Sequence, residues 1–297
     1  MFAGPGVAGA IRNQFNLVGN TVNNGTTAGA EGGGASGGGS TGADSAAVQA
    51  AVAKDPKDWT LEEQEAVAKD IAAKGEASPA YAKAKAAMDA GTKFSMKLTD
   101  GQTLEYKIIG INHDDLADGS GKAGLTFLTS STGISSRLNA ERTNAGGWEK
   151  SELRAKMNSG EIRNLMPSDF QSKVKSVTKL TNNVGGGSAN KDAAVTATTD
   201  KLFLLSYSEI VPTSYWADSD PWTSSEGSQY EAFKGKVTES YLSSSAIAIG
   251  SDWWERSVKP GNSEAANFLF LYVSIGGNPS PGSSAVNSNC VCPAWCF

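Results

Sequence analysis

The segment NFLFLYVSIGGNPSPGSSAVNSNCVCPAWCF, residues 267–297, contains no Lys, Arg, Asp, Glu or His. Gln and Met are also absent from it, although the preceding part of the chain uses Lys and Glu freely. An ordinary protein surface carries charge, and an ordinary core strand does not continue into a run of Gly, Pro, Ser and Asn. The restricted set of residue types is therefore the strongest signal in this sequence.

The missing residue types share a property of the genetic code. Lys, Glu, Gln, Met and Trp make up 53 of the first 266 residues, so a segment of this length would contain about six, yet it contains only Trp295. None of these five types has a codon that ends in C or T, whereas every other residue of the segment has one. This pattern is expected if asparagine codons AAC or AAT are randomised at their two adenines.

Composition limits the class of protein. The chain has 297 residues, of which 39% are hydrophobic, and seven Trp, which is enough to bury a core. A formal net charge of −5 without a basic block does not favour nucleic-acid binding. No apolar run is long enough to predict membrane insertion, and residues 1–20 lack the features of a secretory signal peptide. We therefore expect no nucleic acid partner, no membrane insertion and no ordinary secretion.

Glycine content and hydrophobic periodicity divide the chain into three parts. Residues 1–45 hold 13 of the 34 glycines and predict a Gly-rich tether for attachment. Residues 46–91 predict a small helical segment. Residues 92–297 predict an α+β domain with long loops, and its C-terminal part, about 253–297, contains the uncharged segment.

Cap residues place the helices of residues 46–91. Thr60 and Glu63 have the spacing of a capping box, and Gly75 follows as a helix end. Ser78 is the predicted N-cap of the next helix, which ends at Gly91. An earlier helix is predicted around residues 45–54.

From residue 93 onward the hydrophobic period changes to two, which is typical of strands. Asp100 and Gly101 predict a hairpin turn, and residues 151–160 predict a short helix with Ser151 as its N-cap. Strands are predicted at residues 93–98, 103–109, 124–130, 173–180, 201–211, 253–257 and 267–274, with 173–180 half-exposed and 201–211 buried. No internal repeat is visible.

Several motifs suggest chemistry but fit simpler structural explanations better. The acidic stretch at 114–121 contains Asp114, Asp115 and Asp118, but it lacks the EF-hand pattern and favours a solvated turn, with calcium binding left open. The glycines of 182–192 lack the order of a phosphate-binding loop, which favours a surface loop. The pair Asp218 and Asp220 lies between tryptophans, as in sugar sites, but favours a solvated loop.

Cysteine and histidine also give no strong catalytic signal. Cys290, Cys292 and Cys296 lack C-x-x-C spacing, so we expect buried free thiols rather than a metal site or a disulfide framework. The single histidine, His113, supplies no Ser-His-Asp arrangement. We therefore predict no catalytic residue, no metal and no cofactor.

The order of five motifs, together with the codon pattern, points to a known class. They are INHDDLADGSGKAGLTF (111–127), GWEKSELRAKMNSGEI (147–162), TTDKLFLLSYSEI (198–210), WWERS (253–257) and A-x-N-S-N-x-V-x-P-A-W (285–295). Over about residues 58–297 the chain resembles the variable proteins of diversity-generating retroelements, in a family found in phages and prophages of gut bacteria. In those systems a reverse transcriptase replaces adenines and rewrites the 3′ end of a target gene.

The resemblance implies a fold and two sets of residues. The fold is a C-type lectin-like domain, related to that of formylglycine-generating enzymes. The implied scaffold residues are Trp253, Trp254, Arg256, Ser257, Val273, Gly277, Ala285, Val291 and Pro293. The implied ligand-binding positions are Phe268, Leu269, Leu271, Ser274, Ile275, Ser280, Gly282, Ser283, Val286, Asn287 and Asn289.

Strand alternation predicts how the start of the uncharged segment is oriented. Phe270 and Val273 are expected to face the core, and Leu269, Leu271 and Ser274 the surface. Phe268, Leu269, Leu271 and Ile275 could then form an exposed apolar patch, which on a soluble protein usually binds something.

The implied function is non-enzymatic ligand binding on a phage virion surface, in the tail or capsid. The protein would recognise a bacterial surface protein or glycan, and residues 1–45 would contact other virion proteins. By analogy with phage adhesins we expect a homotrimer. Two alternatives remain open at this stage: a structural virion protein whose C terminus does not vary, and an enzyme of the formylglycine-generating type that uses its cysteines.

Overall fold

The computed structural model describes residues 45–182, 195–213, 226–260 and 267–297. The predicted tether, except for Ser45, lies outside these residues. Most of the predicted glycine loop at 182–192 and the pair Asp218 and Asp220 also lie outside the described residues. The described residues all belong to one compact unit, Asp44–Phe297.

Three helices open the described chain, and their caps follow the sequence. Helix α1 is Ala46–Ala53, α2 is Leu61–Lys74 and α3 is Tyr81–Ala90. The backbone N–H groups of Thr60 and Glu63 each donate to the other residue's side chain, so the predicted capping box is confirmed. The predicted N-cap at Ser78 is wrong: the Tyr81 N–H donates to the Ser78 carbonyl and closes a turn, so the N-cap is Ala80 and the helix begins at Tyr81.

The helices pack on the first sheet without an intervening layer. A Cβ added to Gly124 would lie 1.8 Å from the carbonyl oxygen of Ala68 in α2, so only glycine permits this approach. Val67 and Ile71 of the same helix are fully buried. Residues 46–91 therefore share one hydrophobic core with the strands that follow them.

The first sheet has four antiparallel strands in the order β1-β2-β3-β11. They are β1 (Lys93–Lys97), β2 (Thr103–Ile111), β3 (Leu125–Thr129) and β11 (Ala294–Cys296). The predicted hairpin is confirmed, and Gly101 adopts a φ of 87° in its turn. Trp295 of β11 packs against Phe127 and Phe170, with ring centroids 5.8 and 5.1 Å away. The last residues of the chain thus complete the core of this sheet.

The second sheet has five strands in the order β4-β10-β7-β8-β9, and a separate two-stranded ribbon is formed by β5 and β6. These strands are β4 (Ser135–Ser136), β5 (Val177–Asn182), β6 (Val195–Asp200), β7 (Trp253–Val258), β8 (Leu269–Val273), β9 (Gly282–Ser284) and β10 (Asn289–Cys290). The pair β10–β7 is parallel, and the other paired strands of this sheet are antiparallel. The uncharged segment therefore supplies three strands of this sheet and one of the first.

Short helices and long irregular stretches connect the strands. The helices are α4 (Gly147–Lys150), α5 (Glu152–Asn158), α6 (Glu161–Leu165), α7 (Ser168–Lys173) and α8 (Tyr207–Ile210). The side chain of Ser151 accepts a hydrogen bond from the Arg154 backbone, which confirms it as the N-cap of α5. The mixture of helices with open sheets confirms the α+β class.

Two strand predictions fail for identifiable reasons. Residues 201–211 are buried as predicted, but they form an irregular run and then α8, because Ser206 and Glu209 make a capping box that starts a helix. In the 173–180 stretch, α7 extends to Lys173, so strand β5 begins only at Val177.

Within the described residues, no helix has the length and apolarity needed to cross a membrane.

Candidate functional site

Burial divides the uncharged segment and the strand beside it into two sets. All nine residues of the implied scaffold are buried. The eleven implied ligand-binding positions are distributed differently. Three positions are exposed, namely Ile275, Val286 and Asn287. Six are half-buried: Phe268, Leu269, Ser274, Gly282, Ser283 and Asn289. Two are buried, Leu271 and Ser280.

The predicted orientation of β8 is only partly correct. Phe270 and Val273 face the core as expected, but Leu271 is also fully buried, so its predicted surface position is wrong. Strand β8 lies between β7 and β9, and both of its faces are covered at its centre, which removes the alternation. The expected apolar patch therefore does not form from Phe268, Leu269, Leu271 and Ile275 together.

Ser280 is not available to a ligand either. It is 7% exposed, and its hydroxyl donates to the backbone carbonyl of Ser240. This contact attaches the loop at residues 240–246 to the segment that follows β8. Ser280 thus holds the scaffold together.

A tight turn after β8 presents the most exposed apolar side chain of the segment. The Gly277 backbone N–H donates to the Ser274 carbonyl at 2.7 Å and closes the turn. The Asp252 carboxylate accepts a hydrogen bond from the Ile275 backbone N–H at 2.7 Å. Because the backbone is fixed on both sides, the Ile275 side chain, 63% exposed, is held toward solvent.

A surface pocket of about 360 Å³ adjoins this turn. It brings together two of the predicted positions, Ile275 and Asn289, with Asp252, Cys290 and three serines, Ser135, Ser251 and Ser288. The side-chain amide nitrogen of Asn289 has no hydrogen-bond partner within the described part of the chain. The lining combines hydroxyls, an amide, one carboxylate and one aliphatic side chain, which suits a neutral polar ligand group.

Predicted positions at the other end of β8 lie beside an arginine. The Arg142 guanidinium lies 3.4 Å from the ring centroid of Phe268, in a cation–π contact. Asn287 donates through its side chain to the hydroxyl of Ser283, while Val286 is 38% exposed at the same turn. The predicted positions therefore form two groups, one at each end of the strand.

Sequence reasoning missed residues that adjoin these positions from elsewhere in the chain. Tyr241 and Leu242 are 48% and 53% exposed, and their loop is joined to the turn after β8 by a hydrogen bond from the Ser244 N–H to the Gly277 carbonyl. Arg142 and Asp252 also contact the predicted positions. No local pattern marks these residues, because each meets the segment only through the fold.

Residues 123–297 match a family described as "Domain of unknown function (DUF6273)". The chain belongs to the DUF6273 family. No curated protein and no solved structure matches the chain. The matched range begins just before β3, so in the first sheet it includes β3 and β11 but excludes β1 and β2.

A buried cluster of charges joins three residues of the DUF6273 domain to Asp114, which precedes the matched range. The Lys179 ammonium forms ion pairs of 2.5 Å with Asp114 and Glu209, and Arg256 pairs with Glu209 at 2.5 Å. All four side chains are 3% exposed or less. Burial raises the pKa of the Asp114 carboxyl, but the charge of Lys179, the contribution of His113 and hydrogen bonds from Lys179 and Thr126 together outweigh it, and the pKa lies below its ordinary value. The cluster joins β5, α8 and β7 to the segment after β2.

Two further buried carboxyls of the DUF6273 domain lie near Arg256. Burial raises the pKa of Glu226 to about 7, although its oxygens accept hydrogen bonds from the Ser257 hydroxyl and the Asn182 backbone. Burial also raises the pKa of Glu255 well above its ordinary value, and no hydrogen-bond partner reaches its oxygens within the described residues. Glu226 is therefore protonated over part of the neutral range, and burial favours the protonated form of Glu255.

The three carboxylates of the acidic stretch after β2 do not lie together at one site. Asp114 is buried in the charge cluster rather than solvated, which corrects the prediction for that residue. Asp115 pairs with Lys122 at 2.9 Å, and Asp118 accepts hydrogen bonds from Ser120. Among the described residues, no group of three or more His, Cys, Asp and Glu side chains could hold a metal ion.

The three cysteines are buried free thiols, as the sequence predicts. Burial raises the pKa of the Cys292 and Cys296 thiols well above their ordinary value. Nucleophilic cysteines need the opposite, a lowered pKa and access to solvent. The thiols of this DUF6273 domain pack as small apolar side chains.

Proposed function

We propose that this protein is a diversified ligand-binding protein. Its binding surface consists of the exposed and half-buried positions of residues 267–289, termed here the C-terminal surface. Phe268, Ile275, Val286, Asn287 and Asn289 are the main contact residues. Tyr241, Leu242 and Arg142 form a fixed border around them.

The observation that supports this proposal is the division of burial within one uncharged segment. A surface that tolerates many sequences needs changeable side chains on loops that an unchanging core supports. Val273, Gly277 and Ala285 are buried and alternate along the chain with solvent-facing positions such as Ile275 and Val286. Substitution at the solvent-facing positions would therefore leave the core intact.

The residue types of this surface are suited to variable recognition. Aromatic and aliphatic side chains supply contact area, and Ser, Gly and Asn supply adaptable hydrogen bonds at low entropic cost, as in antibody paratopes. The pocket around Asn289, lined by hydroxyls, an amide and the Asp252 carboxylate, favours neutral polar groups, such as those of a glycan or a peptide loop. The proposed ligand is thus a bacterial surface glycan or protein.

The proposed fold is C-type lectin-like, and the proposed setting is a phage virion. The fold rests on the motif resemblance and is compatible with an α+β domain that has two small sheets and long loops. Residues 1–45 would attach the domain to other virion proteins, in the tail or capsid, as a homotrimer. Repeated copies would convert weak single contacts into firm attachment to a host.

Cell-binding assays test the proposal. The fluorescently labelled full chain is incubated with a panel of gut-bacterial isolates, and attachment is measured by flow cytometry. We expect the chain to bind a subset of isolates, and Ile275→Asp to reduce that binding at least about tenfold, because a charge replaces an exposed anchor. Circular dichroism checks that each variant is folded.

Leu180→Asp is the matched control. Leu180 is 40% exposed on β5, so the same substitution adds the same charge to an exposed apolar position outside the C-terminal surface. Binding by this variant should equal that of the unmodified chain. Equal loss in both variants, or no loss in Ile275→Asp, would contradict the proposal.

A further inference from the structure

A second pocket lies away from the uncharged segment, between the end of α3, strand β2 and the loop at 240–246. Its volume is about 470 Å³. Lys107 and Lys236 line it, with Ser244 and Ser245 on one wall and the end of α3 on another.

Both lysines use neutral backbone acceptors. The Lys107 ammonium donates to the Ala246 carbonyl at 2.7 Å, and the Lys236 ammonium donates to the Asp89 carbonyl at 3.2 Å. An ammonium has three N–H donors, so each retains donors beyond these contacts. Neither lysine forms an ion pair with a carboxylate of the described residues. Neither ammonium therefore has a carboxylate partner, although the Lys236 ammonium lies at the negative C-terminal end of α3.

The nearby carboxylates are already engaged. Asp89 borders the pocket, but its carboxylate pairs with Lys85 on the same helix at 2.6 Å. Glu105 of β2 pairs with Lys93 at 2.7 Å. These pairs leave the excess positive charge at Lys107 and Lys236, in a protein whose formal net charge is −5.

The charge of Lys107 destabilises the fold more than the charge of Lys236 does. It is half-buried, and burial followed by the charge of Lys236 lowers the pKa of Lys107 to about 8. A partly desolvated ammonium beside a like charge destabilises the fold unless an anion is bound. A bound anion would offset both effects.

We propose that this pocket binds a phosphate group, held by Lys107 and Lys236 with a hydrogen bond from the hydroxyl of Ser245. Lysine ammonium groups bind phosphate as point charges. The pocket volume exceeds that of a phosphate ion and leaves room for an attached sugar. The site does not depend on the binding function proposed for the C-terminal surface.

Titration calorimetry with the full chain at pH 7 and low salt tests this site. Inorganic phosphate and glucose 6-phosphate are the two probes, with sodium chloride at matched ionic strength as the reference. We expect saturable binding of one phosphate per chain, weakened about tenfold or more in Lys107→Gln and in Lys236→Gln, since each removes a charged hydrogen bond. Tighter binding of glucose 6-phosphate would assign the site to phosphorylated sugars, and equal affinity would assign it to the phosphate group alone.

Lys69→Gln is the control, because Lys69 is an exposed lysine of α2 outside the pocket. It should bind phosphate like the unmodified chain. Lys236 is exposed on a loop, so its variant remains informative if Lys107→Gln fails to fold. Heats that sodium chloride reproduces, or equal weakening in all three variants, would overturn the proposal.

The pH dependence provides a second readout. The charged or titratable groups nearest Lys107 are Lys236, Lys93, Cys292 and Asp89. Binding of glucose 6-phosphate, a phosphate ester whose second pKa is about 6, should weaken as pH rises from about 7 to 9, because Lys107 loses its proton near pH 8 while the charge of the ester stays constant. Affinity that is constant over this range would show that Lys107 does not hold the anion.

Discussion

Gly277 connects the uncharged segment to the rest of the protein. Its φ of 81° lies in the left-handed region, and a Cβ there would lie 2.1 Å from the Ser244 carbonyl oxygen. We expect Gly277→Ala to destabilise the fold by more than about 1 kcal/mol, because the turn must deform and the 240–246 loop must move. Urea unfolding followed by tryptophan fluorescence measures this change.

Gly276→Ala is the matched control at the neighbouring glycine. Its added Cβ would meet no atom closer than 3.8 Å, and its backbone does not require glycine. The free energy of unfolding should change by less than about 0.5 kcal/mol, as for most surface substitutions. Equal effects of the two substitutions would show that the turn is not under this constraint.

At the residue scale, the sequence predicts buried side chains better than exposed ones. Phe270, Val273 and the nine scaffold positions are buried as expected, since each needs only a local pattern or a motif. Leu271 and Ser280 were assigned to the surface and are buried instead. Their burial depends on β9 and on the 240–246 loop, which no local pattern reveals.

At the scale of elements, the buried charges hold β5, α8 and β7 in one arrangement. Arg256 donates to Glu209 and also to the backbone carbonyls of Leu180, Leu204 and Glu226. Each of these carbonyls belongs to a different part of the chain. Breaking such a network by removing one partner leaves an uncompensated buried charge and is strongly destabilising.

The Glu226 carboxyl makes stability depend on pH. Its pKa is about 7 in the folded protein and about 4.5 when unfolded, so between these values the folded state binds more protons. The stabilisation is therefore fully present below about pH 4.5 and is lost as pH rises to about 7. We expect the free energy of unfolding to fall between pH 5 and pH 7, as measured by urea denaturation at each pH.

Glu226→Gln should reduce this slope without abolishing it. Glu255, whose pKa is also raised by burial, contributes with the same sign. Glu62→Gln, at an exposed position of α2, is the control and should leave the slope unchanged. A slope that persists in full in Glu226→Gln would show that this carboxyl is ionised in the folded protein.

The sequence predicted the type of element correctly where it contains clear helix-cap or turn residues. The Thr60 capping box, the hairpin at Gly101 and the Ser151 cap are local signals that the fold preserves. The run 201–211 failed because burial on all sides hides its periodicity. The Lys179 charge cluster was not foreseen, because its members are far apart in sequence and no local pattern pairs them.

At the scale of the whole molecule, the uncharged segment has two roles that the sequence does not separate. Residues 290–297 are all buried and complete the core of the first sheet through Trp295. Residues 267–289 form the edge of the second sheet and the C-terminal surface. The proposed contact positions follow as a group from the family resemblance, but their assignment to surface or core required the fold.

The central claim is that the C-terminal surface is rewritten while its scaffold is kept. Sequencing the gene region for residues 267–297 in sibling isolates, with several kilobases on either side, tests it most directly. We predict a near-copy carrying AAC at the varied codons beside a reverse transcriptase gene. Substitutions should occur at solvent-facing positions such as Ile275, Val286 and Asn287, and be absent at Val273, Gly277 and Ala285. Uniform sequence among isolates with no near-copy, or substitutions spread equally over buried and exposed codons, would contradict the claim.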